Sequence, residues 1–261
     1  MEKLKKISAR WWFFALLLLA QTVLMPFASR NFAPQDIGRI IPATLAGAPQ
    51  MQLGDWNILF QSVSLLFLVL LLVFRNRVRT LFNAYVALSY LAFAFIQNVA
   101  FTEQYGFSVV TVNLVMFLLV AYVWIRETLQ PRNGYAFGNL RWKYAWMIVL
   151  AVFAYWCPFT LRGEADLNPL HFFTHNTATA FCLTTPLFLT VLTLNLPQVN
   201  VVTYRITAIV GFIIGCYNMG SFFNPGTVWL GFLHLPLVSI SLYCAILSYR
   251  HPAFRKAVPN G

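Results

Sequence analysis

His171 and His175 stand four positions apart, so on a helix their imidazoles share one face. Two imidazoles at that spacing can hold one divalent metal ion. His234, at a compatible depth on a later helix, is the expected third ligand, with Glu103 or Asp166 as oxygen donors. No Glu lies between the pair as in H-E-x-x-H, so zinc-protease chemistry is absent. The same imidazoles can serve as general bases. A Thr hydroxyl becomes a nucleophile when a base lies within hydrogen-bond reach, and Thr111 with His175 or His234 supplies that pairing. The amide of Asn113 or Asn218 can donate to an oxyanion. The plainer role for each His is a hydrogen bond between helices or to interfacial water. His251, in the basic tail, adds only to that tail's character.

The elements that must position these groups are apolar. The chain has 261 residues, of which 59% are hydrophobic, 17% aromatic and 10% charged, whereas a soluble domain carries roughly a quarter charged residues. Runs of about 18 or more apolar residues are long enough to cross a bilayer. The sequence predicts an all-α multi-pass protein of the plasma membrane, one transmembrane domain over residues 1–261 with eight spans. These are 11–27, 56–74, 81–101, 107–124, 144–159, 170–196, 206–222 and 229–249. The first resembles a signal peptide, but its apolar run is long and a small-residue cleavage site is lacking, so it reads as an uncleaved span. Of the 18 Lys and Arg, only Arg30, Arg39 and Arg162 fall in the loops expected outside, 28–55 and 160–169. The other fifteen, Arg141 and Lys256 among them, fall on the opposite side, which predicts both termini in the cytoplasm. The net charge of +11 is therefore loop charge, not a nucleic-acid surface. The four cysteines lie inside apolar stretches without zinc or disulfide spacing and read as small hydrophobes. Pro34, Pro42 and Pro49 leave room in loop 28–55 for only one or two interfacial turns around Ile37, Ile40 and Ile41.

At about 1.5 Å of rise per residue, Gln97, Asn98, Thr111, Asn113, His171, His175, Asn218 and His234 fall in one layer within the outer third of the membrane. Gln61 has a similar depth, and the inner half is expected to be poorer in polar groups away from its edges. Polar groups within hydrocarbon usually face the bundle interior. A polar pocket toward the outer leaflet follows, with Gln97, Asn98, Asn113, His171 and Asn218 as substrate-binding residues and Thr111, His175 and His234 as catalytic candidates.

Several short segments carry a family likeness. The sixth span opens Asn168-Pro169-Leu170-His171-Phe172-Phe173-Thr174-His175-Asn176, and the fourth opens Ser108-Val109-Val110-Thr111-Val112-Asn113-Leu114. Tyr217-Asn218-Met219-Gly220 precedes Asn224-Pro225. With these, about 200 residues resemble the YwaF-like integral membrane proteins and, more distantly, the androgen-induced intramembrane lipid hydrolases. The resemblance implies a seven-helix core over spans two to eight, with a Thr nucleophile at Thr111 and a His at the later helix. The fourth span has no Cys, and Asn113 competes with Thr111 for the nucleophile position, in which case the fold persists without hydrolysis. Leu230-Gly231-Phe232-Leu233-His234-Leu235-Pro236 departs from the aromatic Gly-Pro segment expected in the last helix.

Three functions compete. The first is an intramembrane hydrolase of a lipid or other amphiphile. The second is a transporter or ligand-binding protein, for which Pro186, Pro236 and Gly215 offer helix breaks, although no internal repeat is visible. The third is a structural subunit whose 25 Phe and 8 Trp face partner membrane subunits or pigments.

Overall fold

The computed structural model describes residues 2–138, 142–160 and 162–255, so Arg141 and Lys256 lie outside the described residues. In chain order the elements are α1 (Glu2–Ser8), α2 (Trp11–Val23), β1 (Phe27–Ala28), α3 (Ile37–Ala46), α4 (Trp56–Phe74), α5 (Arg79–Ile96), β2 (Val99–Thr102), β3 (Gly106–Val109), α6 (Thr111–Leu129), α7 (Ala145–Trp156), α8 (His171–Thr174), α9 (Phe181–Leu194), α10 (Val201–Asn218), α11 (Val228–Arg250) and α12 (Pro252–Arg255). The chain is mostly helical, at 74%. Four helical stretches are long and apolar enough to cross a membrane: Trp56–Ile96, which contains α4 and α5, then Thr111–Leu129, Val201–Phe223 and Pro225–Arg250. Helices α2 and α9 are apolar but shorter, and α7 has 12 residues, rising only about 18 Å against a hydrocarbon core of about 30 Å.

Several expected boundaries move. The third span stops at Ile96 rather than residue 101, and the fourth begins at Thr111 rather than 107. Between them β2 and β3 form an antiparallel hairpin, and β1 adds to β3, so the fold is not all-α. The Val-, Phe- and Thr-bearing sequence on both sides of Gly106 suits a pleated hairpin, and Gly106 adopts φ +63° at its turn. The predicted sixth span, 170–196, is interrupted. Helix α8 ends at Thr174, a 3-10 turn covers Thr177–Thr179, and α9 starts at Phe181. Helix α3 runs ten residues through Pro42, burying Ile40 and Thr44. The expected breaks at Pro186, Pro236 and Gly215 do not occur, because α9, α10 and α11 each continue past them.

Helices α10 and α11 lie close together. A Cβ added at Gly211 would meet Ser241 Oγ at 2.5 Å, and one at Gly215 would meet Val238 Cγ2 at 2.8 Å. Small residues four apart let two backbones approach, the packing favoured where lipid removes the hydrophobic drive between helices. The middle of the bundle is aromatic. Phe117 stacks on Phe181 at 4.0 Å, Tyr90 meets both Phe93 and Phe188 edge-on, and the Trp124 indole N–H donates to Thr207 at 3.0 Å.

The end opposite the hairpin carries a polar network at the helix ends and links. Glu127 is fully buried. Its carboxylate accepts from the Arg132 and Asn133 backbone N–H groups and from the Asn200 amide. Tyr135 donates from its hydroxyl to Asn83 and from its backbone to Asn76. Asn195 accepts from Phe137 N. This network ties loop 131–138 to α5, α6 and the start of α10. Beside it Arg205, also buried, donates to the Ser248 carbonyl and stacks over Tyr249, whose hydroxyl donates to the Ser8 carbonyl and so docks α1.

Candidate functional site

At the hairpin end α5 and α10 finish while α6, α9 and α11 begin, and the gap between these ends is a cavity of about 310 Å³. Gln97 and Asn98 border it from the end of α5, Asn113 and Phe117 from α6, and Ile214 and Asn218 from α10. Leu233 and His234 border it from α11, and His175 and Asn176 from the link between α8 and α9. Apolar walls come from Phe117, Phe159, Leu183, Ile214 and Leu233. No Asp, Glu, Lys or Arg is among its lining residues.

Much of the polar lining is already engaged in positioning the walls. Gln97 accepts from Phe181 N at 2.9 Å and donates to Gln50 Oε1 at 3.0 Å, fixing the start of α9 against the loop after α3. Asn98 donates to the Phe93 and Ala94 carbonyls, closing the end of α5. Its buried Oδ1 has no partner among the described residues. Asn218 donates to the Ile214 carbonyl at 2.8 Å. The His234 Nδ1 lies 2.6 Å from the Leu230 carbonyl. A carbonyl can only accept, so Nδ1 carries the proton, and in the neutral ring Nε2 keeps its lone pair. Gln61 does not border the cavity but supports it. Its amide donates to Thr177 at 2.6 Å and accepts from Ala178 N at 2.7 Å, holding the turn that follows His175.

Two sequence candidates are placed otherwise. Thr111 opens α6 but is not among the residues lining the cavity. His171 is 8% exposed and also lies off the cavity; its Nε2 meets Asp166 Oδ2 at 3.2 Å. His171 and His175 are not on one continuous helix, since His175 is extended, with φ −77° and ψ 168°. Their rings nevertheless lie 4.0 Å apart. Burial and the neighbouring His171 hold the His175 imidazole below its ordinary range, with Asp166 pulling the other way. Among the described residues no group of three or more His, Cys, Asp or Glu is arranged to hold an ion. Asp166 takes one nitrogen of His171, and the Leu230 carbonyl takes one of His234.

No protein-family model, no curated protein and no solved structure matches this chain. The functional reading therefore rests on the cavity.

Sequence reasoning missed Gln50, Thr160 and Trp229 in its walls. Trp229 packs against Gly163, which adopts φ +84° and where an added Cβ would run into the Trp229 ring. That contact joins the 160–169 loop to the start of α11, as only a glycine there permits.

Proposed function

We propose that this protein is a multi-pass membrane protein that binds a neutral, hydroxyl-bearing amphiphile in the cavity at its hairpin end. Helices α4, α5, α6, α10 and α11 supply five of its eight spans, the shorter α2, α7 and α9 supply the other three together with the turns and extended residues that flank them, and both termini face the cytoplasm. The support for that orientation is the charge pattern: Arg30, Arg39 and Arg162 are the only Lys or Arg in loops on the cavity side. The cavity then opens toward the outer leaflet.

The observation that carries the ligand class is a lining that is polar yet uncharged. A phosphate or carboxylate in this cavity would have no cation to meet it, and burying an unpaired charge is costly. Asn98 Oδ1 is a buried acceptor without a partner among the described residues, and the Leu230 carbonyl, by taking Nδ1–H, leaves His234 Nε2 as an acceptor beside the cavity. They call for a ligand that donates, as a hydroxyl does, while the apolar walls receive its hydrocarbon part. Displacement of a fluorescent monoacylglycerol from purified protein tests this. Monoolein is expected to compete about tenfold better than methyl oleate, which cannot donate. Oleoyl lysophosphatidate is expected to compete poorly, and His234→Phe should weaken monoolein. Equal competition by all three lipids would contradict the proposal.

Hydrolysis is the second reading, favoured by His175 and His234 bordering one cavity. Either imidazole would act as general base on a water in the cavity; Thr111, the hydroxyl that the resemblance to intramembrane lipid hydrolases implies, opens α6 off the cavity lining. Release of oleate from monoolein in the same assay, lost in His175→Ala or His234→Ala and kept in Thr111→Ala, separates water attack from binding alone and from a Thr111 nucleophile.

A further inference from the structure

We propose that the turn between α4 and α5 is a binding site for the phosphate headgroup of an anionic phospholipid. It lies at the end of the bundle opposite the cavity, and it rests on the reading that α4 and α5 span the membrane with this turn at its inner surface. A concave site of about 530 Å³ is lined by Val73, Phe74, Arg75, Asn76, Arg77 and Ala136. Its far wall is loop 131–138, held in place where the Tyr135 backbone N–H donates to Asn76 Oδ1 at 2.6 Å. No carboxylate lines the site, and neither Arg75 nor Arg77 has an ion-pair partner among the described residues.

Two further observations point to a ligand with both a charge and a hydrocarbon part. The last residues of α4 are exposed and apolar, with Leu72 58%, Val73 65% and Phe74 44% accessible. Val73 and Phe74 line the same site as Arg75 and Arg77, which fits an acyl chain continuing into a phosphate and not a free anion. Arg75 also closes α4 at φ 52° and ψ −126°, a backbone region that strains any residue with a Cβ and that glycine occupies freely. An arginine held in such a conformation places a guanidinium at the corner of the turn. Its planar fork, with that of Arg77, matches phosphate oxygens.

The test titrates a fluorescent phosphatidylglycerol into the purified protein in a neutral detergent. Wild-type protein is expected to bind it saturably. Arg75→Gln combined with Arg77→Gln should weaken binding about thirtyfold, at roughly fivefold for each cation near a lipid surface. Arg79→Gln, outside the site, should weaken it less than Arg75→Gln or Arg77→Gln alone. Arg75→Gly gives a result that misfolding cannot imitate: its melting temperature in neutral detergent should rise while its phosphatidylglycerol affinity falls. The proposal is overturned if the double variant binds like wild type. It is equally overturned if Arg79→Gln weakens binding as much as the double variant, or if inorganic phosphate competes as well as unlabelled phosphatidylglycerol.

Discussion

Glu127→Ala is expected to lower the stability of the folded protein by about 3 kcal/mol or more, since hydrogen bonds to a buried charged group contribute about 1.5–3 kcal/mol each. The substitution leaves the Arg132 and Asn133 backbone N–H groups and the Asn200 amide without their acceptor, the last two of them buried. The loss falls on loop 131–138, on the end of α6 and on the start of α10 together, because the carboxylate is their common acceptor. Glu127→Gln is expected to fall between, keeping an oxygen for the two backbone donors while setting its amide against the Asn200 amide. Adding Asn200→Asp should recover part of that loss, since the new carboxylate accepts from the glutamine amide. Denaturant unfolding in detergent measures all of these variants. A Glu127→Ala protein as stable as wild type would show that the network does not hold this end of the bundle.

Gln61→Leu is expected to reduce monoacylglycerol binding more than tenfold, together with a stability loss of about 1–3 kcal/mol for the buried Ala178 N–H left unpaired. Gln61 is fully buried on α4, and its amide is what fixes the turn Thr177–Thr179. That turn lies between His175 and Asn176 on one side and Ala180 on the other, all three of which border the cavity. The Thr177 hydroxyl still donates to the Tyr155 carbonyl at 2.8 Å, so the turn should shift and not unfold. Binding measured at a temperature where circular dichroism reports a folded variant separates the two effects. Unchanged affinity would show that the turn keeps its place without Gln61.

The apolar helices were legible because membrane spans must be long and nearly uncharged, and six of the candidate polar residues could be assigned to one end by counting rise along them. Those six, Gln97, Asn98, Asn113, His175, Asn218 and His234, border one cavity. The hairpin was not legible, since an apolar run that is lipid-facing helix and one that is buried strand have the same composition. Val99–Thr102 and Gly106–Val109 read as continuations of the neighbouring spans until the Gly106 turn is seen. The fragmentation of residues 170–196 was hidden for the same reason. The network around Glu127 escaped because its members are scattered over five segments, each with an Asn or Tyr that alone signals only a loop or a helix end. What Gln61 and Gln97 do was likewise invisible, because a buried amide that binds a ligand and one that binds backbone are the same residue at the same depth.

The most direct measurement is the site of covalent capture by a photoreactive monoacylglycerol with a diazirine near its glycerol. After irradiation in a phosphatidylcholine bilayer and proteolysis, adducts are expected on the peptides that carry Asn113, Asn218 and His234, and monoolein should suppress them. Adducts confined to the exposed face of α4 around Leu66 and Val69, where lipid has free access, and insensitive to monoolein, would contradict a ligand cavity at the hairpin end.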